Sequence, residues 1–168
     1  TGLPKAGKTT IAHALEQRLF DMGHFGYVID GENMRLGVSA DLGFSADDRA
    51  ENVRRAAGVA AMMNNAGLIT IAAFVSPYRE DRLRARETVG DDRFIEIYLD
   101  TPVDVCRERD DEGLYTKADS GEIANFSGVT APYEPPESPD IAIPTHEMTV
   151  DDAVGRIVAI LQERGIIG

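Results

Sequence analysis

The sequence is poor in several residue types, and each shortage excludes a class of protein. Its 168 residues include one cysteine, Cys106, no tryptophan and only three lysines. A single cysteine excludes an internal disulfide and is typical of a protein in the reducing cytoplasm. No apolar run approaches the roughly 20 residues of a membrane-spanning helix, so we expect no membrane partner. The net charge of −12 argues against a nucleic-acid partner, because phosphate backbones are bound by clustered positive charge.

Two of the scarce lysines, Lys5 and Lys8, lie in a glycine-rich segment near the N-terminus. This segment, Gly2–Thr9, has the full G-x-x-x-x-G-K-[ST] pattern of a phosphate-binding loop, and an apolar-periodic helix follows it. Backbone N–H groups in such a loop point at phosphate oxygens. We expect Lys8 to reach the terminal phosphates and the Thr9 hydroxyl to bind Mg²⁺. A chance glycine-rich turn is the alternative, but the length of the match and its context favour nucleotide binding.

Strand patterns alternate with helical patterns along the rest of the chain, which predicts an α/β fold. We expect a three-layer sandwich of the P-loop NTPase type, in which helices cover both faces of a central parallel sheet. The predicted strands are 27–29, 68–74, 94–99 and 141–143, and the continuously apolar run 68–74 is expected to be buried on both faces. A long helix is predicted from about 47 to 66, with a capping box at Ser45 and Asp48 and with Gly67 as its terminator.

Two segments depart from this regular pattern. Residues 110–131 have several glycines and no clean periodicity, which is typical of a flexible lid or binding loop. A phosphate loop normally follows a buried strand, yet only Thr1 precedes Gly2. We therefore expect a central strand before residue 1, and we interpret 1–168 as one kinase-type domain of a longer polypeptide.

Ligand sites of parallel sheets lie at the carboxyl ends of the strands, and acidic residues stand at the first of these ends. The segment Asp30-Gly31-Glu32-Asn33 follows the strand 27–29. Two carboxylates there suit Mg²⁺ binding and proton abstraction from a hydroxyl group. An ordinary acidic turn is the alternative, and the nearby phosphate loop favours the functional interpretation.

Basic and polar residues follow at neighbouring positions. Arg49 and Asn52 are three residues apart and share one face of the long helix. With Arg35, they could bind phosphate or sulfate oxygens, because guanidinium groups make paired hydrogen bonds to such anions. Any single arginine could instead be a surface charge. Ser76, after the second strand, could bind a ligand or cap the next helix.

Together, these segments resemble the adenylylsulfate kinase family. The motifs that carry the resemblance are, in chain order, Gly2–Thr9, Asp30–Asn33, Leu42–Ser45, Asp48-Arg49 with Asn52, Phe74–Pro77, Asp100–Pro102 with Val105-Cys106, Gly113–Tyr115, Gly121–Ile123, Asn125-Phe126, and Pro132–Glu134 with Pro136. A shared phosphate loop alone would be weak evidence, but this ordered set is highly specific.

The resemblance implies that the γ-phosphate of ATP is transferred, with Mg²⁺, to the ribose 3′-hydroxyl of adenosine 5′-phosphosulfate (APS). The residues expected to hold ATP are Gly2, Leu3, Pro4, Lys5, Ala6, Gly7, Lys8, Thr9, Thr10 and Arg109. Those expected to hold APS are Arg35, Phe44, Arg49, Asn52, Ser76, Lys117 and Phe126, with Phe44 and Phe126 on either side of the adenine. Catalytic roles are expected for Lys8, Asp30 and Glu32, and Mg²⁺ ligation for Thr9 and Asp30.

The resemblance also implies a homodimer or higher oligomer. The C-terminal segment 161–167 resembles the end of kinase domains that are fused to ATP sulfurylase, which favours a bifunctional parent protein. Some residues depart from the family pattern. Glu32 stands where aspartate is usual, Lys5 replaces a small residue, and Glu112 occupies a common lysine position. We therefore expect a less positive lid and a lower substrate affinity.

Two other functions stay open at this point. Another small-molecule kinase of the same fold would explain the loop and the sheet, but not Phe44, Phe126 and the lid motifs. A regulatory domain that binds the nucleotide without catalysis would explain Glu32 and the altered lid. The intact segment Gly7-Lys8-Thr9 argues against that second alternative.

Overall fold

The computed structural model describes residues 1–168, and its elements alternate between strands and helices. The strands are β1 (Gly26–Asp30), β2 (Ile69–Ala73), β3 (Ile97–Leu99) and β4 (Ile141–Ile143). The helices are α1 (Lys8–Asp21), α2 (Gly31–Leu36), α3 (Ala46–Asn65), α4 (Arg79–Val89), α5 (Val103–Glu108), α6 (Leu114–Asp119) and α7 (Val150–Glu163). None of these helices is both long and apolar enough to cross a membrane.

The predicted three-layer arrangement is confirmed. Strand β1 pairs with β2 and strand β3 with β4, in both cases in parallel. Consecutive β1 residues point to opposite faces: Val28 packs with Ala12 of α1, whereas Ile29 packs in the cluster that contains α3 and α4. The largest core cluster joins α1 and α7 to β3 and β4. Helices therefore cover both faces of the parallel strands.

The two strand pairs are separated by an apolar groove of about 410 Å³. Thr1 lies at one end of this groove and pairs with β3: its amino group donates to Ile97 O (2.8 Å), and Leu99 N donates to Thr1 O (2.9 Å). In this structure Ile69–Ile71 are half-buried and Ala72 is exposed, and the edge of β2 that does not pair with β1 faces the groove. A strand before residue 1 would pair at this edge, so burial of 68–74 on both faces stays a prediction. The central strand expected before residue 1 stays a prediction.

Local signals predicted both ends of α3 but missed two short helices. Helix α3 begins after Ser45, whose hydroxyl accepts from Asp48 N (3.2 Å), and ends before Gly67, which has a left-handed φ of 88°. The Asp48 carboxylate accepts from the Ser45 hydroxyl (2.7 Å), so only half of the predicted capping box forms. One of the two missed helices, α6, lies within the segment 110–131, which the sequence predicted to be a loop. The other, α2, directly follows β1.

Candidate active site

A cleft of about 730 Å³ joins the phosphate loop to the carboxyl ends of β1 and β2. Such a volume is within the usual range for small-molecule sites. It is lined by most of the predicted site residues, namely Pro4, Lys5, Gly7, Lys8, Thr9, Thr10, Asp30, Glu32, Arg35, Phe44, Arg49, Asn52, Ser76 and Arg109. The predicted residues outside its lining are Gly2, Leu3, Ala6, Lys117 and Phe126.

The phosphate loop folds back on itself ahead of α1. Ala6 N donates to Leu3 O (3.1 Å), and the Lys8 ammonium group donates to the same carbonyl oxygen (2.6 Å). Burial lowers the pKa of Lys8 to about 8. Gly7, with a φ of 98°, precedes α1, and no side chain caps the first N–H groups of that helix. These N–H groups therefore remain available to an anion.

Thr145 supports this loop from β4, although the sequence analysis did not select it. Its hydroxyl donates to Ala6 O (3.0 Å), and it accepts from Nη1 of Arg109 (2.8 Å), whose Nη2 donates to Thr145 O (2.9 Å). Arg109 is thereby placed in the cleft beside the loop, and its contact with ATP stays a prediction. Thr145 follows the carboxyl end of β4, so the strand-end rule applied to β1 and β2 would have found it.

The two acidic residues after β1 differ in what their carboxylates contact. Asp30 caps α2: its Oδ1 accepts from Glu32 N (2.9 Å) and Asn33 N (2.8 Å), and its Oδ2 accepts from the Asn33 amide (3.2 Å). Glu32 is exposed in the cleft, and its carboxylate accepts no hydrogen bond from the protein. The predicted acidic turn is therefore a helix start, in which Asp30 fixes the backbone and leaves the Glu32 carboxylate free.

The far end of the cleft carries a desolvated positive charge. Arg35 donates to the carbonyls of Gly31 and Gly43, and Arg49 donates to those of Phe44 and Asn125, at 2.8–3.2 Å. Burial lowers the pKa of both arginines, with the Asp48 carboxylate partly opposing this for Arg35 and the charge of Arg35 adding to it for Arg49. Most other arginines of the chain do pair with carboxylates. This end of the cleft is therefore suited to an anion.

One aromatic ring and one buried amide accompany these arginines. The Phe44 ring is 56% exposed, with the guanidinium carbon of Arg35 at 4.4 Å and that of Arg49 at 5.4 Å from its centroid. Asn52 is 2% exposed, and its side-chain oxygen has no hydrogen-bond partner within the protein. A buried acceptor without a partner is costly unless a ligand or water satisfies it. Phe44 and Asn52 thus add a stacking surface and an unsatisfied acceptor to the anion site.

Ser76 is held in a strained conformation beside this site. Its φ of 38° lies in the left-handed region, which serine rarely adopts, and such strain is frequent at functional sites. The buried Arg82 donates to Ser76 O (2.7 Å) and Glu134 O (2.8 Å) and pairs with Glu96 (2.6 Å). Ser76 does not cap α4, since that helix has no side-chain cap. The capping alternative is therefore wrong.

Two predicted substrate contacts in the lid are not brought to the cleft. The ammonium group of Lys117 donates to Glu112 O (3.2 Å) within the lid. Phe126, which the resemblance placed beside the adenine of APS, is only 8% exposed and meets the Tyr115 ring edge-on, with centroids 4.9 Å apart. The glycine-flanked loop around Phe126 folds against the core, so the ring is buried. Adenine contacts by Phe126 and substrate contacts by Lys117 stay predictions.

The donor set of the cleft fits Mg²⁺ better than a softer metal. No group of three or more histidine, cysteine, aspartate or glutamate side chains lies close enough together to enclose an ion. The cleft does offer the exposed Thr9 hydroxyl and the carboxylates of Asp30 and Glu32. Mg²⁺ typically uses one or two such oxygens and takes its remaining ligands from water and substrate phosphates.

Comparisons with known proteins agree with this geometry. The family model described as Adenylylsulphate kinase matches residues 1–144. The chain is 51% identical to an adenylyl-sulfate kinase of Acaryochloris marina, over 99% of this chain and 82% of that protein. It is 47% identical to a bifunctional CysN/CysC enzyme of Rhodopirellula baltica, of which it covers 26%. The solved structure of the Mycobacterium tuberculosis APS kinase CysC in complex with AMPPNP and APS has a TM-score of 0.92 and 39% identity, over 96% of this chain and 94% of that one.

Proposed function

The chain belongs to the adenylylsulphate kinase family, and from this we propose that it phosphorylates APS at the ribose 3′-hydroxyl with ATP as the donor. The products are ADP and 3′-phosphoadenosine 5′-phosphosulfate, which places the reaction in sulfate activation. The M. tuberculosis relative binds AMPPNP and APS together, which supports the same pair of substrates here.

The observation that carries this proposal is the presence of two separate anion sites in one cleft. The phosphate loop forms one end, and Arg35 and Arg49, whose guanidinium groups pack near the Phe44 ring, form the other. A nucleotide with a terminal triphosphate fits the first site. A second nucleotide with a phosphosulfate group fits the other, because paired guanidinium donors bind such oxygens and an exposed ring can stack on a base.

The residues of the chain then divide the transfer between them. Lys8 leaves the carbonyl of Leu3 and donates to the terminal phosphates, where its charge stabilises the transferring group. The 3′-oxygen of APS attacks the γ-phosphorus, the bond from that phosphorus to the β,γ-bridging oxygen breaks, and ADP leaves. The hydroxyl proton passes to the carboxylate of Glu32, the acidic group of the cleft that no protein donor occupies.

A bound Mg²⁺ would take the Thr9 hydroxyl and the Asp30 carboxylate as ligands, and it would neutralise negative charge on the phosphates. Asp30 also orients Glu32 through the cap that begins α2. These residue roles, the homodimer or higher oligomer, the fusion to ATP sulfurylase and the cytoplasmic location remain proposals. The relative from R. baltica is a bifunctional enzyme, and this supports the fusion.

A coupled assay that detects ADP tests the activity directly. With ATP and Mg²⁺, we expect ADP release that depends on added APS, and the Lys8→Ala variant should lose it while keeping its melting temperature. ADP release without APS, or with an unrelated hydroxylated acceptor in its place, would favour another small-molecule kinase. Tight binding of APS without any turnover would favour the regulatory domain.

A further inference from the structure

Lys5 occupies a backbone position in the phosphate loop that favours glycine. Its φ is 63°, and it is one of three non-glycine residues of the chain with a positive φ. A lysine gains nothing locally from this conformation, since its Cβ crowds the neighbouring carbonyl oxygen. Residues in such conformations persist where the surrounding structure holds them, and they concentrate at functional sites.

The Lys5 side chain connects the phosphate loop to the lid. Its ammonium group contacts Oδ1 of Asp111 at 2.8 Å and Oε1 of Glu112 at 2.5 Å, across 106 positions of sequence. The Lys5 side chain is 20% exposed, whereas the side chains of Asp111 and Glu112 are 85% and 64% exposed. All three residues line the cleft together with Gly7 and Thr9.

An ammonium group has three donors, and two of them are used by the lid carboxylates. The third remains for an oxygen in the cleft. Without Lys5, the cleft would present Asp111 and Glu112 to the nucleotide phosphates as unpaired negative charges, and like charges in such a site repel.

We propose that Lys5 is a nucleotide-positioning residue, which bridges the phosphates of the bound nucleotide to Asp111 and Glu112 and so fastens the lid (110–131) over the phosphate loop. This inference rests on the proposed function, because it assumes that the phosphate loop holds a nucleotide. This role accounts for the presence of a lysine at a position that strains its backbone.

The Lys5→Gly variant separates the proposed role from a merely structural one. Glycine relieves the backbone strain, so the melting temperature of the ligand-free protein should stay the same or rise. The affinity for ADP, measured by calorimetric titration, should fall about tenfold, because a hydrogen bond to phosphate is lost and the Asp111 and Glu112 carboxylates are left unpaired beside the phosphates. Hydrogen exchange of residues 110–131 should slow when ADP is added to the wild type, and slow less in the variant.

The second test repeats Lys5→Gly in the double variant Asp111→Asn with Glu112→Gln. In this background the repulsion is gone, so Lys5→Gly should weaken ADP binding by only about two- to threefold, which makes the effects non-additive. Arg107→Gln is the matched control: its ion pair with Asp119 (2.6 Å) is also exposed but does not line the cleft, so ADP affinity should not change.

Three results would overturn the inference: unchanged ADP affinity in Lys5→Gly, effects of Lys5→Gly and the double variant that simply multiply, or a lower melting temperature that accounts for the loss. A wild-type protein that neither binds ADP nor turns over APS would instead refute the proposed function. The two failures are therefore distinguishable.

Discussion

Nucleotide binding should weaken as the pH rises from 7 to 9, because Lys8 loses its proton in the free protein. Burial lowers the pKa of Lys8 from 10.5 to about 8. Phosphates that contact its ammonium group favour the charged form and raise this pKa again. Binding above pH 8 therefore takes up a proton, and by linkage the affinity falls with increasing pH.

The size of the effect follows from the fraction of free protein that carries the proton. With a pKa of about 8, about nine molecules in ten are protonated at pH 7 but only about one in eleven at pH 9. If the bound pKa stays above 10, the apparent dissociation constant for ADP should rise about tenfold, or about 1.4 kcal/mol. Proton uptake should approach one per ADP at pH 9 and nearly vanish at pH 7.

Two other groups near Lys8 keep their charge state over this range. Burial raises the pKa of the Cys106 thiol, so it stays neutral. Lys5 keeps its charge, because its hydrogen bonds to Asp111 and Glu112 raise its pKa.

The assay is calorimetric titration of ADP at several pH values, in pairs of buffers with different ionisation enthalpies, which gives affinity and proton uptake together. Lys8→Arg is the matched control: it should bind more weakly but with a flat pH profile, since arginine stays charged throughout. A flat profile in the wild type, or an equal decline in Lys8→Arg, would refute the assignment of the titrating group.

Further variants test residues in and around the cleft. Glu32→Gln should lower kcat by about 10²–10⁴-fold with little change in KM for APS, as expected for loss of a general base; normal turnover would contradict this role. Phe44→Ala should weaken APS binding by about 1–3 kcal/mol without changing the melting temperature. Phe126→Ala should instead destabilise the fold by about 3–5 kcal/mol, because its ring is buried; melting curves beside APS titrations distinguish the two. Arg82→Lys should raise KM for APS more than KM for ATP, because Arg82 donates a hydrogen bond to Ser76 O. Arg86→Lys is the control: Arg86 lies one turn further along α4 and pairs with Asp91 and Asp140, so its replacement should change only the melting temperature.

The parts of the fold that the sequence predicted well depend on residues close together in the chain. Helix α3 is defined by Ser45 at its start and Gly67 beyond its end, and both signals act over a few positions. The phosphate loop is likewise one continuous segment whose spacing carries its function. The meeting of this loop with Arg35 and Arg49 in one cleft was also predictable, because ligand sites of parallel sheets lie at the carboxyl ends of the strands.

The errors concern contacts that cross the chain. Phe126 looked like a loop residue because its neighbours are polar, but its burial depends on Tyr115 in another element. Thr145 is separated from Ala6 by 139 positions, and no local pattern joins them.

The same reasoning changes what the altered lid implies. The family pattern implied a less positive lid because Glu112 occupies a common lysine position, and this predicted weaker substrate binding. The structure places the Glu112 carboxylate 2.5 Å from the ammonium group of Lys5, so the two charges pair. A positive charge therefore reaches the lid from the phosphate loop, and its partners on the lid are the carboxylates of Asp111 and Glu112. Surface charges more than about 8 Å away are largely screened at physiological salt. The electrostatic potential where the nucleotide phosphates would bind is therefore set by Lys5, Lys8 and their immediate partners, and not by the net charge of −12.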